Sequence, residues 1–468
     1  MRLYDTVAAV STPRGKGGVA LLRISGPDAI PIAEKVFFPR SGKRLSEIMT
    51  GKMVYGEIRM PYRMTETAEV GIDDGMAVCF QAPASFTGED TVEITCHGGV
   101  LVTETVLSAI LAAGARPAEA GEFTRRAFVN GKLALSEAEA LGTLLEAKTD
   151  AQLRLSRSGM NGKLSEGTEA LSARLRYVLA SVYARIDYPD EDLADLSDEE
   201  MRALLEEIRR DTARLAETYR TGRAAMEGID TVICGPANAG KSSLYNALVG
   251  REAAIVTDIA GTTRDMLSET VALGRVTLRL TDTAGLRETE DRVEQIGIDR
   301  ARQALERAEL ILAVMDASGE PDAEATALLS DLSSRGDSTV VLLNKSDVGS
   351  SAAWDALTAG FPNVLRISLL EAGDDSVARL RACVEERFTD GSIDLSRDPV
   401  VVNARQHGAL LSACACLDRA IDAISMGLTA DLYCLDAEGA LAAFGELDGK
   451  EVGEAVVAEI FSKFCVGK

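Results

Sequence analysis

Gly235-Pro236-Ala237-Asn238-Ala239-Gly240-Lys241-Ser242 fits the spacing G-x-x-x-x-G-K-[ST] and follows the apolar run 230–234 directly. A strand feeding a glycine-rich turn and then a helix opened by Ser243 aims several backbone N–H groups and the positive helix end at one point. Polyphosphate fits there. In that geometry Lys241 neutralises the β- and γ-phosphates, and the Ser242 hydroxyl enters the octahedral shell of a magnesium ion. Three more motifs follow in order. Gly261-Thr262-Thr263-Arg264-Asp265 occupies an aperiodic loop able to set Thr263 on the magnesium opposite Ser242. The run 276–280 reads as a strand delivering Asp282-Thr283-Ala284-Gly285. Asp282 would hold magnesium through water, and Gly285 leaves its N–H free for the γ-phosphate. Asn344-Lys345-Ser346-Asp347 closes the apolar strand 339–343 and selects the base. An ionised Asp347 offers only acceptors, which match two adjacent N–H groups of guanine and find no such pair on adenine. The expected chemistry is GTP binding with magnesium.

The scaffold for these groups is large: 468 residues predict two to four domains with ample buried core. Lys plus Arg number 50 against 73 Asp plus Glu, a formal charge of −23. Such a surface repels nucleic acid unless basic residues are focused locally or a partner supplies them. The eight cysteines include no C-x-x-C pair, which predicts a reduced, cytoplasmic setting. Met1-Arg2-Leu3-Tyr4-Asp5 does not open a signal peptide, and no apolar stretch reaches the roughly 18 residues of a membrane span.

Taken in order, the runs 6–10, 19–24, 76–80 and 91–95 predict strands, and 101–113 has helical spacing. An α+β domain of roughly 130 residues is implied. Arg23 and Glu93 interrupt apolar runs, where a charge needs an exposed face, an internal ion pair or a ligand. His97, before two glycines, reads as a turn histidine satisfied by the backbone. From 131 the texture becomes helical. Leu164, Leu171, Leu175, Val178, Val182 and Ile186 form one stripe, and Leu204, Ile208, Leu215 and Tyr219 form the next. Between them, 187–200 carries eight acidic residues and no basic one, read as a solvated loop entering a helix. Beyond 395, Leu410, Leu411, Leu417, Ile421 and Ile424 predict one helix, and Val452, Val456, Ile460 and Phe464 another. The division predicted is 1–130, a helical part 131–225, a nucleotide domain 226–392 inserted into it, and a second helical part 393–468. Cys465, four residues from the end, has the shape of a prenylation box, but Lys468 is a poor last residue for one.

The outer motifs carry a resemblance. Pro13-Arg14-Gly15-Lys16-Gly17-Gly18, Arg23-Ile24-Ser25-Gly26, Ser85-Phe86-Thr87-Gly88-Glu89-Asp90, Gly121-Glu122-Phe123-Thr124, Asp187-Tyr188-Pro189-Asp190, the stretch 257–265 and Phe464-Cys465-Val466-Gly467-Lys468 together resemble the MnmE (TrmE) family of tRNA-modifying GTPases. The resemblance implies a multidomain fold: an α+β folate-binding-like N-terminal domain, a discontinuous α-helical domain and an inserted α/β Ras-like P-loop GTPase domain. It further implies a homodimer working with the flavoprotein MnmG, whose cofactor is FAD, to modify carbon 5 of the wobble uridine of certain tRNAs. The one-carbon donor would be a tetrahydrofolate derivative, 5-formyl- or methylene-tetrahydrofolate. By motif matching Arg23, Glu93, Lys132 and Lys468 would contact it, and Cys465 would belong to the modification reaction. Potassium would be held by Asn238, Thr257, Ile259 and Thr262, and Glu294 would orient the attacking water. Nucleotide contacts would come from Asn238, Ala239, Gly240, Lys241, Ser242 and Ser243, from Thr257, Asp258, Ile259, Ala260, Gly261, Thr262 and Thr263, from Asp282, Thr283, Ala284 and Gly285, and from Asn344, Lys345 and Asp347.

Two positions depart from the family pattern. Ser368-Leu369-Leu370 stands where a base-contacting S-A-K/R is usual, and Gly235-Pro236-Ala237-Asn238 stands for G-R-P-N. A different class of protein, a GTP-switched RNA or ribosome assembly factor without one-carbon chemistry, would share the inner motifs. It would have no use for the folate positions or Cys465.

Overall fold

The computed structural model describes residues 5–61, 71–187, 196–252, 268–281, 303–349, 351–369 and 375–467. They form two compact units, 1–142 together with 445–468, and 143–444.

The first unit is built on a seven-stranded sheet in the order β3-β4-β5-β6-β2-β1-β7. Its strands are β1 (Val7–Val10), β2 (Val19–Ser25), β3 (Phe37–Pro39), β4 (Val54–Arg59), β5 (Gly71–Phe80), β6 (Thr91–His97) and β7 (Arg116–Pro117). Alternation assigns the faces: Leu22 and Ile24 of β2 with Val92, Ile94 and Cys96 of β6 join a buried core with Val106, Ala109 and Ile110 of the helix Val100–Ala112. The intervening Arg23 and Glu93 point to the opposite face and stand directly across from each other in the register. Strand β5 starts at Gly71, earlier than the apolar run 76–80 suggests. Gly75 explains the extension, because a Cβ there would lie 2.0 Å from the Thr95 carbonyl oxygen of β6. The helix Glu454–Ser462 returns the chain to this unit, with Phe461 buried against Leu135 and Ala138. Phe461, rather than Val456, anchors that helix; Val456 is exposed.

The second unit contains a six-stranded sheet in the order β13-β12-β11-β8-β10-β9. Its strands are β8 (Ile229–Cys234), β9 (Ser268–Leu273), β10 (Val276–Thr281), β11 (Leu310–Asp316), β12 (Thr339–Asn344) and β13 (Asn363–Arg366). All pairs are parallel except β9 with β10. The central strands β11 and β12 are apolar almost throughout, as strands covered on both faces must be.

Helices flank this sheet in sequence. Asp198–Glu217 packs with Ala404–Ser425 through Arg209, which donates to both oxygens of Asp418 at 2.9 and 3.1 Å, so separated stretches share one bundle. The buried faces differ by small steps from the apolar spacing. Met201, Leu205, Ile208, Thr212 and Leu215 line one, with Leu205 in place of Leu204. Ala413, Cys414 and Ala420 join Leu410, Leu417 and Ile424 in the other, while Leu411 is exposed. Alanines let helices approach closely, and a search for large apolar residues passes over them. Part of the acidic run starts a helix, because Ser197 and Glu200 form a reciprocal capping box at its positive end. The chain enters and leaves the sheet through neighbouring segments. Thr218 Oγ1 accepts the Val401 N–H at 3.0 Å, and Thr221 Oγ1 accepts the Asp390 N–H at 2.8 Å.

Candidate active site

The phosphate-loop sequence sits at the C-terminal edge of β8, flush against its neighbours. A Cβ on Gly235 (φ 150°) would lie 2.0 Å from the Val314 carbonyl oxygen, and one on Gly240 (φ 109°) would lie 2.2 Å from Asn344 Nδ2. Only glycine fits at either place. Asn238 adopts the left-handed region (φ 61°), which asparagine tolerates better than most residues. Its side chain is exposed and makes no hydrogen bond among the described residues. Lys241 opens the helix Lys241–Glu252 and donates Nζ–H to the carbonyls of Gly235 (2.8 Å) and Pro236 (2.7 Å). Its cation therefore stands at the mouth of the loop.

Asn344, at the end of β12, ties three segments together. Its Nδ2 donates to the Ala239 carbonyl at 2.9 Å and its Oδ1 accepts the Leu369 N–H at 3.2 Å. Lys345 also has φ 61°, a strained setting for a long side chain, and its ammonium is held by Asp316 Oδ2 at 2.5 Å. Burial pushes the Asp316 carboxyl up, but Lys345 and the Ser318 hydroxyl and N–H outweigh it and hold the group below its ordinary value. Ser346 donates Oγ–H to the Ile367 carbonyl at 2.9 Å, and Asp347 is exposed at the rim. Cys234, just before the loop, is pushed up to about 12 by burial, against the pull of Lys241.

In the first unit Arg23 donates Nε–H and Nη2–H to Glu93 Oε1 at 2.9 and 2.7 Å. The guanidinium also lies 5.3 Å from the Phe86 ring centre and 5.5 Å from that of Phe123. Lys132 donates to the Pro83 carbonyl at 3.0 Å, in the same loop that carries Phe86. Nearby runs a buried ionic network. Arg126, fully buried, bonds Glu122 (2.9 Å), Asp5 (2.9 Å) and Glu89 (3.0 Å), while Arg116 bonds Asp5 (2.8 Å) and Glu122 (2.7 Å). Glu89 also accepts the Ser25 hydroxyl at 2.8 Å, which ties the network to β2.

The C-terminal segment is seated on this unit. Val466 bridges Ala120, the Cys465 carbonyl accepts the Gly121 N–H at 3.4 Å, and Ser11 Oγ–H donates to the Gly467 carbonyl at 3.0 Å. Gly467 (φ 101°) has no room for a Cβ, which would meet the Val10 oxygen at 2.2 Å. Val10 pairs with Leu22, the residue before Arg23. The exposed Cys465 is thus carried by a tail docked on the strand beside the Arg23–Glu93 pair.

Two family models match the chain, GTP-binding protein TrmE N-terminus over residues 6–132 and MnmE helical domain over residues 135–465. A Lactobacillus gasseri protein named tRNA modification GTPase MnmE is 38% identical over 466 residues, covering 99% of this chain and 98% of that protein. Proteins of the same name from Bacillus licheniformis and Heliobacterium modesticaldum are each 40% identical, over 469 and 472 residues, covering 99% of this chain and 100% and 99% of their own lengths. The chain belongs to the MnmE family.

Among the positions drawn from MnmE-family motifs, Asn238, Ala239, Gly240, Lys241, Ser242, Ser243, Asn344, Lys345 and Asp347 come together at one edge of the six-stranded sheet. Arg23, Glu93, Lys132 and Cys465 all belong to the first unit. Thr257, Asp258, Ile259, Ala260, Gly261, Thr262, Thr263, Asp282, Thr283, Ala284, Gly285, Glu294 and Lys468 lie outside the described residues. His97 differs from its reading: its ring Nδ1 and backbone N–H both bind the Asp73 carboxylate at 2.8 Å, so a side chain on β5 satisfies it. Asp316 was missed, although an apolar run ending in an acid marks it. Ser11 and the Arg126 network were missed because no local pattern joins residues so far apart in sequence.

Proposed function

We propose that this chain is a GTP hydrolase acting in tRNA modification, and that with the flavoprotein MnmG it modifies carbon 5 of the wobble uridine. The observation that carries the reading is the match along essentially the whole length of relatives named tRNA modification GTPase MnmE. The phosphate loop, with two glycines that exclude any Cβ, agrees with a GTP site. There Lys241 would hold the β- and γ-phosphates, Asp347 the guanine edge, and Ser242 with Thr263 a magnesium ion. Thr257, Asp258, Ala260, Gly261, Asp282, Thr283, Ala284 and Gly285 would complete the nucleotide contacts, with Glu294 orienting water.

Potassium fits Asn238, whose amide oxygen has no other engagement among the described residues; Thr257, Ile259 and Thr262 would supply the remaining oxygens. When bound it supplies positive charge beside the transferring phosphoryl group. The Arg23–Glu93 pair, with the Arg23 guanidinium near the Phe86 and Phe123 rings, fits a folate, which is flat and carries both N–H donors and carboxylates. A bound tetrahydrofolate supplies the one-carbon unit. Glu93 would accept pterin N–H groups, Arg23, Lys132 and Lys468 would hold anionic or acceptor groups, and Cys465 would act beside them. Homodimeric assembly and a cytoplasmic setting complete the proposal. Among the described residues no helix is long and apolar enough to cross a membrane.

GTP turnover in potassium against sodium at matched ionic strength, with Asn238→Ala beside the unmodified chain, tests the hydrolytic half. Stimulation by potassium that disappears in the variant is expected. Equal turnover in both salts would overturn the potassium assignment.

A further inference from the structure

The motif Pro13-Arg14-Gly15-Lys16-Gly17-Gly18 has no part in the sites above. In the first unit its residues 13–17 line a cavity of about 350 Å³. Its apolar lining includes Val10 and Ala20 of the sheet and Leu107 of the helix Val100–Ala112, and Arg14 and Lys16 line it too. Glu104 of the same helix also lines it. Arg14 differs from the other described arginines of the unit, whereas Lys16 shares its lack of a carboxylate with Lys43 and Lys52 among the described residues. Arg23, Arg40, Arg44, Arg59, Arg116, Arg125 and Arg126 each hold a carboxylate. Arg14 and Lys16 hold none among the described residues, in a chain of formal charge −23. Both are exposed on a loop that places glycine at three of six positions and is tied down by the Gly17 N–H, which donates to the Gly98 carbonyl at 2.8 Å.

An apolar lining with two cations suits a ligand that is flat at one end and anionic at the other, and the volume lies in the range of small-ligand pockets. We infer that this cavity is a nucleotide pocket for RNA: a base taken out of its stack lies against the apolar lining, and Arg14 with Lys16 hold its flanking phosphates. The Glu104 carboxylate is placed to accept an N–H from the base edge. The inference rests on the tRNA reading above and adds the surface that would hold the substrate. It answers the charge problem of an acidic protein acting on a polyanion, since affinity for RNA needs local cations free of internal partners. Val10 links the pocket to the chemistry, because it lines the cavity and its carbonyl abuts Gly467 of the Cys465 tail.

The test is a titration of a labelled anticodon stem-loop RNA with the full chain, unmodified and as Arg14→Ala/Lys16→Ala, across a salt series. Folate binding and GTP turnover without RNA are measured on the same samples. Two lost phosphate contacts should weaken RNA binding about tenfold and make the log-affinity against log-salt slope shallower by about 1.4. Folate binding and basal turnover should be unchanged, which also shows that the variant is folded. Equal RNA affinity and slope in both proteins would overturn the pocket. Loss of folate binding with RNA binding intact would assign the cations to folate carboxylates and equally overturn it. Failure of the unmodified chain to bind the RNA would instead strike at the tRNA reading itself.

Discussion

Asn344 and Ala239, 105 residues apart in the chain, share a 2.9 Å hydrogen bond from side-chain amide to backbone carbonyl. Through it the end of β12 holds the phosphate loop at the end of β8, and the same amide holds Leu369. The segments proposed to select guanine and to bind phosphate are thereby tied to each other. Asn344→Ala leaves a buried carbonyl and an N–H without these partners, at about 1–3 kcal/mol for each group if it stays unpaired. Binding of a fluorescent GDP analogue should weaken at least about tenfold. Unchanged affinity in a folded variant would show that the loop does not depend on this tie.

Asn238 combines a backbone and a side-chain property that two substitutions separate. Glycine accepts φ 61° freely, whereas alanine there pays about 1–2 kcal/mol of steric cost. Asn238→Gly should keep nucleotide affinity yet lose potassium stimulation of turnover, the loss also expected of Asn238→Ala. Retained stimulation in the glycine variant would limit the role of Asn238 to shaping the turn.

Arg126 and Glu122 are both fully buried, so neither tolerates loss of the other. Arg126→Met should destabilise the first unit by about 3–5 kcal/mol, measured by denaturant unfolding, because buried carboxylates remain without their cation. A change under about 1 kcal/mol would contradict the description of this network as a buried, mutually compensated cluster.

The same network sets an acid limit. Hydrogen bonding from Arg116 holds Asp5 below its ordinary value. Burial pushes Glu122 up, but Arg116, the Glu119 N–H and Arg126 outweigh it and bring it below its ordinary value too. As pH falls, the unfolded chain takes up these protons before the folded one does. The stabilisation is therefore complete above the unfolded values, near pH 4 to 4.5, and declines below them through the folded values. Unfolding free energy measured from about pH 6 to 3 should fall more steeply in the unmodified chain than in Arg126→Met. Parallel curves would remove the network as the cause.

Gly121 (φ 65°) leaves 2.4 Å between a prospective Cβ and the Phe461 oxygen, and it also donates to Cys465. Gly121→Ala should unseat the C-terminal tail and hasten its digestion by carboxypeptidase severalfold, without altering GTP turnover. Equal digestion would mean the tail does not depend on this seat.

The nucleotide edge was legible because its chemistry is written in contiguous residues. A phosphate loop must have glycine at 235 and 240, and the contacts with Val314 and Asn344 show why. The central strands were legible where apolar runs are continuous, as at 339–343. What could not be read locally was register and long-range pairing. The bundle faces drifted by a residue, from Leu204 to Leu205, since neighbouring leucines compete for one face and only packing chooses. The Arg126 network, the Ser11 bond to the tail and the Asp73 partner of His97 all join distant segments. Residue types alone did not pair Arg23 with Glu93; strand register sets the two directly across from each other.

The most direct measurement is mass spectrometry of tRNA nucleosides from cells lacking their own protein of this family and supplied with this chain or with Lys241→Ala. The unmodified chain should restore the carbon-5 modification at the wobble uridine, and Lys241→Ala, with its phosphate-binding cation removed, should not. Restoration by neither, or by both equally, would contradict a GTP-driven tRNA-modifying enzyme.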